Sequence, residues 1–360
     1  MSLVDRNKIH IRVFLTANVI ASIQILPRVR PPLARVFAGR EPSAVIDVLP
    51  RLFALCVAAQ QTALVSAIET ARDEVTPLAI QQHRITLLVI ERLVDLVRGL
   101  FVGHLTLNVA VATAIRSLIS DLSALGGSTQ PACGCSQREA TARVVTALAT
   151  LGVREGGALR PGSPLALSFA TLNEEGLKTT PTGYAFLSVV DDPKITNRML
   201  EDDPTFCCCP DLEGEVPETG PWARQMTRDR LPMNPFGAAE RLSARIVEIV
   251  RLCGWLEAGS RDDAAVNGII GRYKLGPGRA AAAVECARGR LYHAVELDAH
   301  GRISRFEFLA PTEWNFHRRG PLVRNLQGAV LTAQRRRNAV HAVIASLDPC
   351  VGFTLDFRDA

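Results

Sequence analysis

The chain has 360 residues, 48% of them hydrophobic, 21% charged and 5% aromatic, and a net charge of +5. That apolar content excludes disorder for most of the chain, and 26 Gly with 21 Pro in no fixed period exclude a fibrous repeat. The positive charge comes almost wholly from Arg, because Lys8, Lys178, Lys194 and Lys274 are the only lysines.

The opening MSLVDRNKIHIRVF has no uninterrupted apolar segment before a small-residue cleavage site, so it does not read as a signal peptide. Leu52, Leu55, Cys56, Ala59 and Ala63 recur at helical spacing and predict one helix over 43–71, with Pro50 near its start. On that helix Phe53, Cys56 and Gln60 share a face. Residues 83–101 are apolar nearly all round, as in a helix buried inside a bundle, and 105–124 continue that character. Glu91, Arg92, Asp95 and Arg98 interrupt the most apolar run, Ile85 to Val102, and rule it out as a membrane span. The chain therefore reads as soluble and cytoplasmic.

Gly126-Gly127-Ser128-Thr129-Gln130-Pro131 breaks the helical pattern just before Cys133-Gly134-Cys135. A helix is predicted over 138–151. Residues 155–236 are rich in Gly, Pro, Asp and Glu and predict loops with short strands. Leu242, Ile246, Ile249, Val250 and Cys253 mark a helix ending near Gly254. Residues 291–297 and 302–309 read as two strands, and Val340, Val343, Ile344 and Leu347 as a last helix stopped by Pro349. Arg335-Arg336-Arg337 lacks interleaved aromatics, so it reads as a solvated or contact face and not as a nucleic-acid site.

Nine cysteines in a reducing compartment are not a disulfide framework; they are core filler, metal ligands or nucleophiles. Asp348-Pro349-Cys350 is the sharpest local signal. Asp is a good N-cap and Pro suits the first helical position, so a helical turn there places Cys350 among free N–H donors and favours its thiolate. Taken alone, Cys56 reads as a small core residue. Cys133, Cys135 and Cys207-Cys208-Cys209 read as loop cysteines, since three adjacent residues cannot easily aim three sulfurs at one metal. Cys253 and Cys286 sit in apolar context and read as core. His104, His293 and His317 have no metal spacing with one another and read as satisfied histidines.

Five segments in register resemble the large subunit of nickel–iron hydrogenases. Gly39-Arg40-Glu41-Pro42 resembles that family's G-R-D-P. Arg51 to Gln60 resembles R-x-C-G-x-C-P-x-x-H, and Asp348 to Asp356 resembles D-P-C-x-x-C-x-x-H. Pro217 to Arg224 is similar to G-E-T-G-P-L-A-R, and Ala310 to Asn315 to V-P-Ser/Thr-T-W-N. In the family four cysteines hold nickel and iron, two of them bridging. Here Cys56 and Cys350 are kept, while Phe53 and Phe353 replace the other two. Gln60 and Asp356 replace the motif histidines, and Gln24 to Arg40 contains no acid to match the glutamate of the proton path. A nickel site wants four soft thiolates, so the resemblance implies no nickel and no hydrogen turnover.

The iron side is kept. The family's iron carries two cyanides and one carbon monoxide. Its cyanide-binding Arg and hydroxyl fall on Arg288 and Thr312, and the apolar residue of the pocket on Leu291. A charge-assisted bond from such an Arg contributes roughly 1.5–3 kcal/mol. Both sulfurs must come within about 5 Å to share one iron, given metal–sulfur bonds near 2.3 Å. This is the pattern of HupK/HoxV-type maturation proteins, and it implies a scaffold that takes up an Fe(CN)2(CO) fragment transiently. The implied partners are HypC/HypD-type maturation proteins and a hydrogenase large-subunit precursor. The sequence stops at Ala360, without the longer tail of hydrogenase precursors, which fits a protein that never receives nickel. The alternative is a non-catalytic structural subunit like the related one of respiratory complex I, but that subunit needs no cyanide pocket.

The expected fold is α+β and predominantly α, large-subunit-like, with a central helical bundle and small β-containing lobes. Residues 1–360 are expected as one domain: 1–126 mainly helical with Cys56, 127–236 an irregular middle, and 237–360 a helix, short strands and Cys350.

Overall fold

The computed structural model describes residues 8–26, 30, 32–101, 109–126, 134–175, 177–178, 184–201, 203, 205–230, 234–258, 268–331 and 336–360. His104, Cys133 and Arg335 lie outside them, as does the side chain of Cys135.

No element is predicted for residues 9–26, yet they form a hairpin of β1 (Ile9–Thr16) and β2 (Val19–Leu26). Ile9, Ile11, Val13 and Leu15 are buried and alternate with more exposed residues, the period of a strand with one covered face. After α1 (Leu33–Phe37), the helix expected over 43–71 is two helices, α2 (Pro42–Leu52) and α3 (Val57–Ala71). Phe53 is extended, and Cys56 is left-handed at φ 55°. The shared face of Phe53, Cys56 and Gln60 is thereby lost. Pro50 lacks the N–H that would continue the ladder, so the helix stops soon after it.

The predicted bundle is present. α4 (Leu78–Phe101), α5 (Val109–Gly126) and α6 (Gly134–Leu151) share one apolar core, built on residues such as Leu93, Leu118 and Val144. The stretch 155–236 holds more helix than expected: α7 (Pro164–Glu175), α8 (Asp192–Met199) and α9 (Pro221–Asp229). Each has a proline in its first turn, which is favourable there although it reads as a breaker in sequence. Strand pairing among the described residues of 155–236 is confined to isolated bridges, such as Phe186 with Glu218. α10 (Ala238–Glu257) adds Ile249 and Leu252 to the bundle core.

A sequential antiparallel sheet follows: β3 (Ile270–Gly276), β4 (Arg279–Cys286), β5 (Gly289–Leu297) and β6 (Ile303–Leu309). Ala280 and Ala282 share a core with Leu64 and Ala67 of α3, while Ala281 and Ala283 share one with Ile195 and Met199 of α8. A strand covered on both faces reads as a continuous apolar run, not as an alternation. The chain closes with α11 (Pro311–Asn315), α12 (Pro321–Leu326), α13 (Arg336–Leu347) and β7 (Phe353–Asp359). The helical turn expected at Asp348-Pro349-Cys350 is absent. Asp348 is left-handed at φ 50°, and the chain enters β7, which pairs in parallel with β1, Ile9 opposite Phe353. Among the described residues no helix is long and apolar enough to cross a membrane.

Candidate functional site

The break between α2 and α3 puts Cys56 directly against the turn joining β4 to β5. The Arg288 guanidinium in that turn donates to the Cys56 sulfur at 3.3 Å and to Asp95 of α4 at 2.9 Å. Cys56 also points its thiol at Asp95, 3.7 Å away, while the nearby Cys286 thiol donates to the Gly289 carbonyl at 3.0 Å. One turn before Asp95, the Glu91 carboxylate accepts from the backbone N–H groups of Ala58 and Ala59, at 2.6 and 2.9 Å. A side chain from α4 thus caps α3, as the free N–H groups of a helix start require.

These contacts set the protonation states. The neighbouring Cys286 thiol, then burial, push the Cys56 thiol well up, so it holds its proton. Burial raises Glu91 to about 7, although the Ala58 and Ala59 bonds oppose it. Burial opposes the charge of Arg288, yet Asp348, the Cys56 sulfur and Asp95 outweigh it and raise its pKa.

Segments far apart in sequence hold the turn. Arg224 of α9 donates to the carbonyls of Cys286 and Ala287 at 3.2 and 3.1 Å, and it pairs with Glu248 and Glu285. Gly220 sits at φ 122°, where a Cβ would come within 3.1 Å of the Arg288 carbonyl. Thr219 occupies the space a Cβ on Gly289 would need, 2.2 Å from its hydroxyl oxygen. Asn315 of α11 then clamps Thr219 by two hydrogen bonds, at 3.0 and 2.9 Å. The Pro217–Arg224 and Ala310–Asn315 segments are therefore parts of one brace around Arg288.

The C-terminal end of the chain meets the same arginine. Arg288 Nε lies 3.4 Å from Asp348, two residues before Cys350, and Thr312 Oγ1 is 3.0 Å from the Cys350 sulfur. A small cavity of about 10 Å³, room for one water, is lined by Trp222, Arg245, Arg288, Ser346 and Asp348, among others. Arg245 is 2% exposed, and its Nε and Nη1 have no hydrogen-bond partner among the described residues. The same holds for Arg288 Nε and Trp222 Nε1. Buried donors without acceptors are costly, and here four N–H-bearing atoms lie on residues of one cavity wall.

Over its full length the chain is 47% identical to the hydrogenase expression/formation protein HupK of Bradyrhizobium diazoefficiens, covering 99% of that relative. The chain belongs to the HupK family. A second HupK, from Rhizobium leguminosarum bv. viciae, is 30% identical over 91% of the chain and 90% of its own length. HoxV of Cupriavidus necator matches at 35% over 45% of the chain and 44% of its own length. No protein-family model matches. The reduced, active Ni-Fe-Se hydrogenase of Desulfomicrobium baculatum superposes with a TM-score of 0.66 at 13% identity, over 94% of this chain and 95% of that chain. This HupK-family chain thus has the α+β fold of hydrogenase large subunits.

The other predicted positions separate. Leu291 is buried on β5 in the bundle core, beside the Arg288 turn. Gln60 is buried and pairs with His293 Nε2 at 2.6 Å, while His293 Nδ1 has no hydrogen-bond partner among the described residues, so that histidine is only half satisfied. Phe53 packs edge-on against Phe308. Phe353 packs against His341, and Asp356 is exposed and paired with Arg358, both on β7. His317 contacts the Cys209 sulfur at 2.7 Å. The Cys207–Cys209 run splits: burial pushes the Cys207 thiol up to about 12 in an apolar core, whereas Cys208 is exposed. Sequence reasoning missed Glu91, Asp95, Arg245 and Cys286 as neighbours of the site, and read Asp348 as a helix cap where the structure pairs it with Arg288. The i,i+4 acids Glu91 and Asp95 within the most apolar run of the chain were the available signal.

Proposed function

We propose that this chain serves hydrogenase maturation by holding an Fe(CN)2(CO) fragment as cargo and passing it to a hydrogenase large-subunit precursor, without itself turning over hydrogen. Cys56 and Cys350 bind the iron. Arg288 and Thr312 donate to its cyanides, Leu291 lines the apolar side, and HypC/HypD-type proteins deliver it. The names of the relatives, hydrogenase expression/formation proteins, support the maturation role. One observation carries the cargo: the Arg288 guanidinium donates to the Cys56 sulfur and its Nε faces the Asp348 carboxylate at 3.4 Å, two residues before Cys350, so one fixed cation joins the two sulfur-bearing segments. A cyanide nitrogen is an acceptor of the size and polarity such a donor requires.

Infrared spectroscopy of protein purified after anaerobic co-expression with the maturation genes tests this. The wild type should show cyanide and carbonyl stretches, and Cys56→Ser or Cys350→Ser should lose them while staying folded. A wild-type spectrum without those stretches rejects the reading.

A further inference from the structure

A larger cavity lies on the far side of Thr312. It holds about 560 Å³, an ordinary size for a small-molecule site, and Cys208, Cys209, His317 and Thr312 are on its wall. The backbone N–H groups of Cys208 and Cys209 both donate to the Thr205 carbonyl, at 2.9 and 2.8 Å, which fixes the two cysteines there in one turn. Cys209 is half-buried, with its sulfur 2.7 Å from His317 Nε2. The other ring nitrogen decides which of the two donates. His317 Nδ1 accepts from the backbone N–H of Arg319 at 3.1 Å, so in the neutral ring Nε2 carries the proton. Burial, then the Arg319 and Arg318 charges, lower His317 to about 4, and the ring is neutral near pH 7. His317 therefore donates to the Cys209 sulfur, a contact that favours the thiolate. Burial lifts the Cys209 thiol, while Arg318 and Arg319 pull against it. A thiol of this kind attacks through a small thiolate fraction of high nucleophilicity.

The charges of the wall select what enters. Its three carboxylates already face arginines: Asp203 and Asp211 lie 3.8 and 3.6 Å from Arg198, and Glu313 lies 3.8 Å from Arg30. Arg318 lines the same cavity, is exposed, and has no ion pair among the described residues. An incoming carboxylate meets an open cation there.

We propose that Cys209, held by His317, is a thiol–disulfide exchange site for a small carboxylate-bearing disulfide of the glutathione class, with a carboxylate of the incoming molecule on Arg318. The Cys209 proton leaves to water, and the thiolate attacks one sulfur of the disulfide. That S–S bond breaks as a new one forms to Cys209, and the second sulfur leaves as a thiolate that takes up a proton from water. Cys209 is oxidised and the leaving sulfur is reduced, so the small disulfide is the only oxidant needed. The adduct occupies a cavity whose wall includes Thr312, the side chain that touches Cys350.

The test has two arms. In the first, the full chain is incubated with glutathione disulfide and, separately, with cystamine, a cationic disulfide. Tandem mass spectrometry should place a reducible glutathione adduct on Cys209, kept in Cys208→Ser and lost in Cys209→Ser. It should form several-fold faster than the cystamine adduct, and Arg318→Ala should remove that preference. An adduct on Cys208 alone, no adduct, or cystamine reacting as fast as glutathione disulfide overturns the proposal. The second arm reads His317 by rate in a Cys208→Ser background. His317→Ala should slow the Cys209 reaction roughly tenfold, because a hydrogen bond to the thiolate is lost, while His317→Gln keeps an N–H and should stay near the parent. Equal rates in all three, with unchanged melting temperatures, overturn the part given to His317. The first arm needs only the wild-type chain for its central result, so a His317 variant that fails to fold does not shelter the proposal.

Discussion

The two halves of the site are built differently. Cys56 is 8% exposed and lies among Arg288, Asp95, Glu91 and Cys286, on a turn that Arg224, Thr219 and Asn315 brace. Cys350 is half-exposed, touches Thr312, and leads into a strand whose outward residues face solvent. The first half is over-determined by buried charges that must be paired; the second is held by backbone pairing to β1. On the function proposed above, a scaffold that releases its cargo needs one fixed wall and one that gives way, which this asymmetry would supply.

The largest expected effect lies in the fixed half. Arg224→Ala leaves Glu248 and Glu285 short of a buried partner and should cost about 3–5 kcal/mol, measured by denaturant unfolding. A loss under about 1 kcal/mol would remove the distinction between the halves. A smaller effect comes from Glu91. Its folded pKa of about 7 exceeds the usual 4.5, so the folded state holds the proton more tightly. Stability should therefore fall as pH rises from about 4.5 to about 7, by no more than about 3 kcal/mol, and level off above. Glu91→Gln should flatten that slope; an unchanged slope in thermal melts across pH assigns it to other groups. The smallest effect belongs to the C-terminal half. Asp356→Ala removes only an exposed pair with Arg358 and should change stability by less than about 0.5 kcal/mol in the same melts.

Much of the fold was legible where one period ran long. The helices ending near Leu151 and Gly254, the strands of 291–297 and 302–309 and the final helix were all readable in this way. The break between α2 and α3 was not, because Leu52, Leu55 and Ala59 continue a helical spacing through it. β7 was missed because its partner β1 lies at the other end of the chain. Cys286 was read as core, and it is buried as expected, but its place in the turn that carries Arg288 to Cys56 is invisible to any local pattern.

The sequence by itself determined which positions of the family's motifs are kept and which are replaced: Cys56, Cys350, Arg288 and Thr312 against Phe53, Gln60, Phe353 and Asp356. The order of its motifs also pointed to the fold. Only the tertiary structure decided what surrounds the sulfurs. Arg288 meets Cys56 across 232 residues of chain and Asp95 across 193. Periodicity records which face of an element is buried, but not which distant element covers it. That pairing depends on packing the whole chain, where buried charges settle only beside their partners.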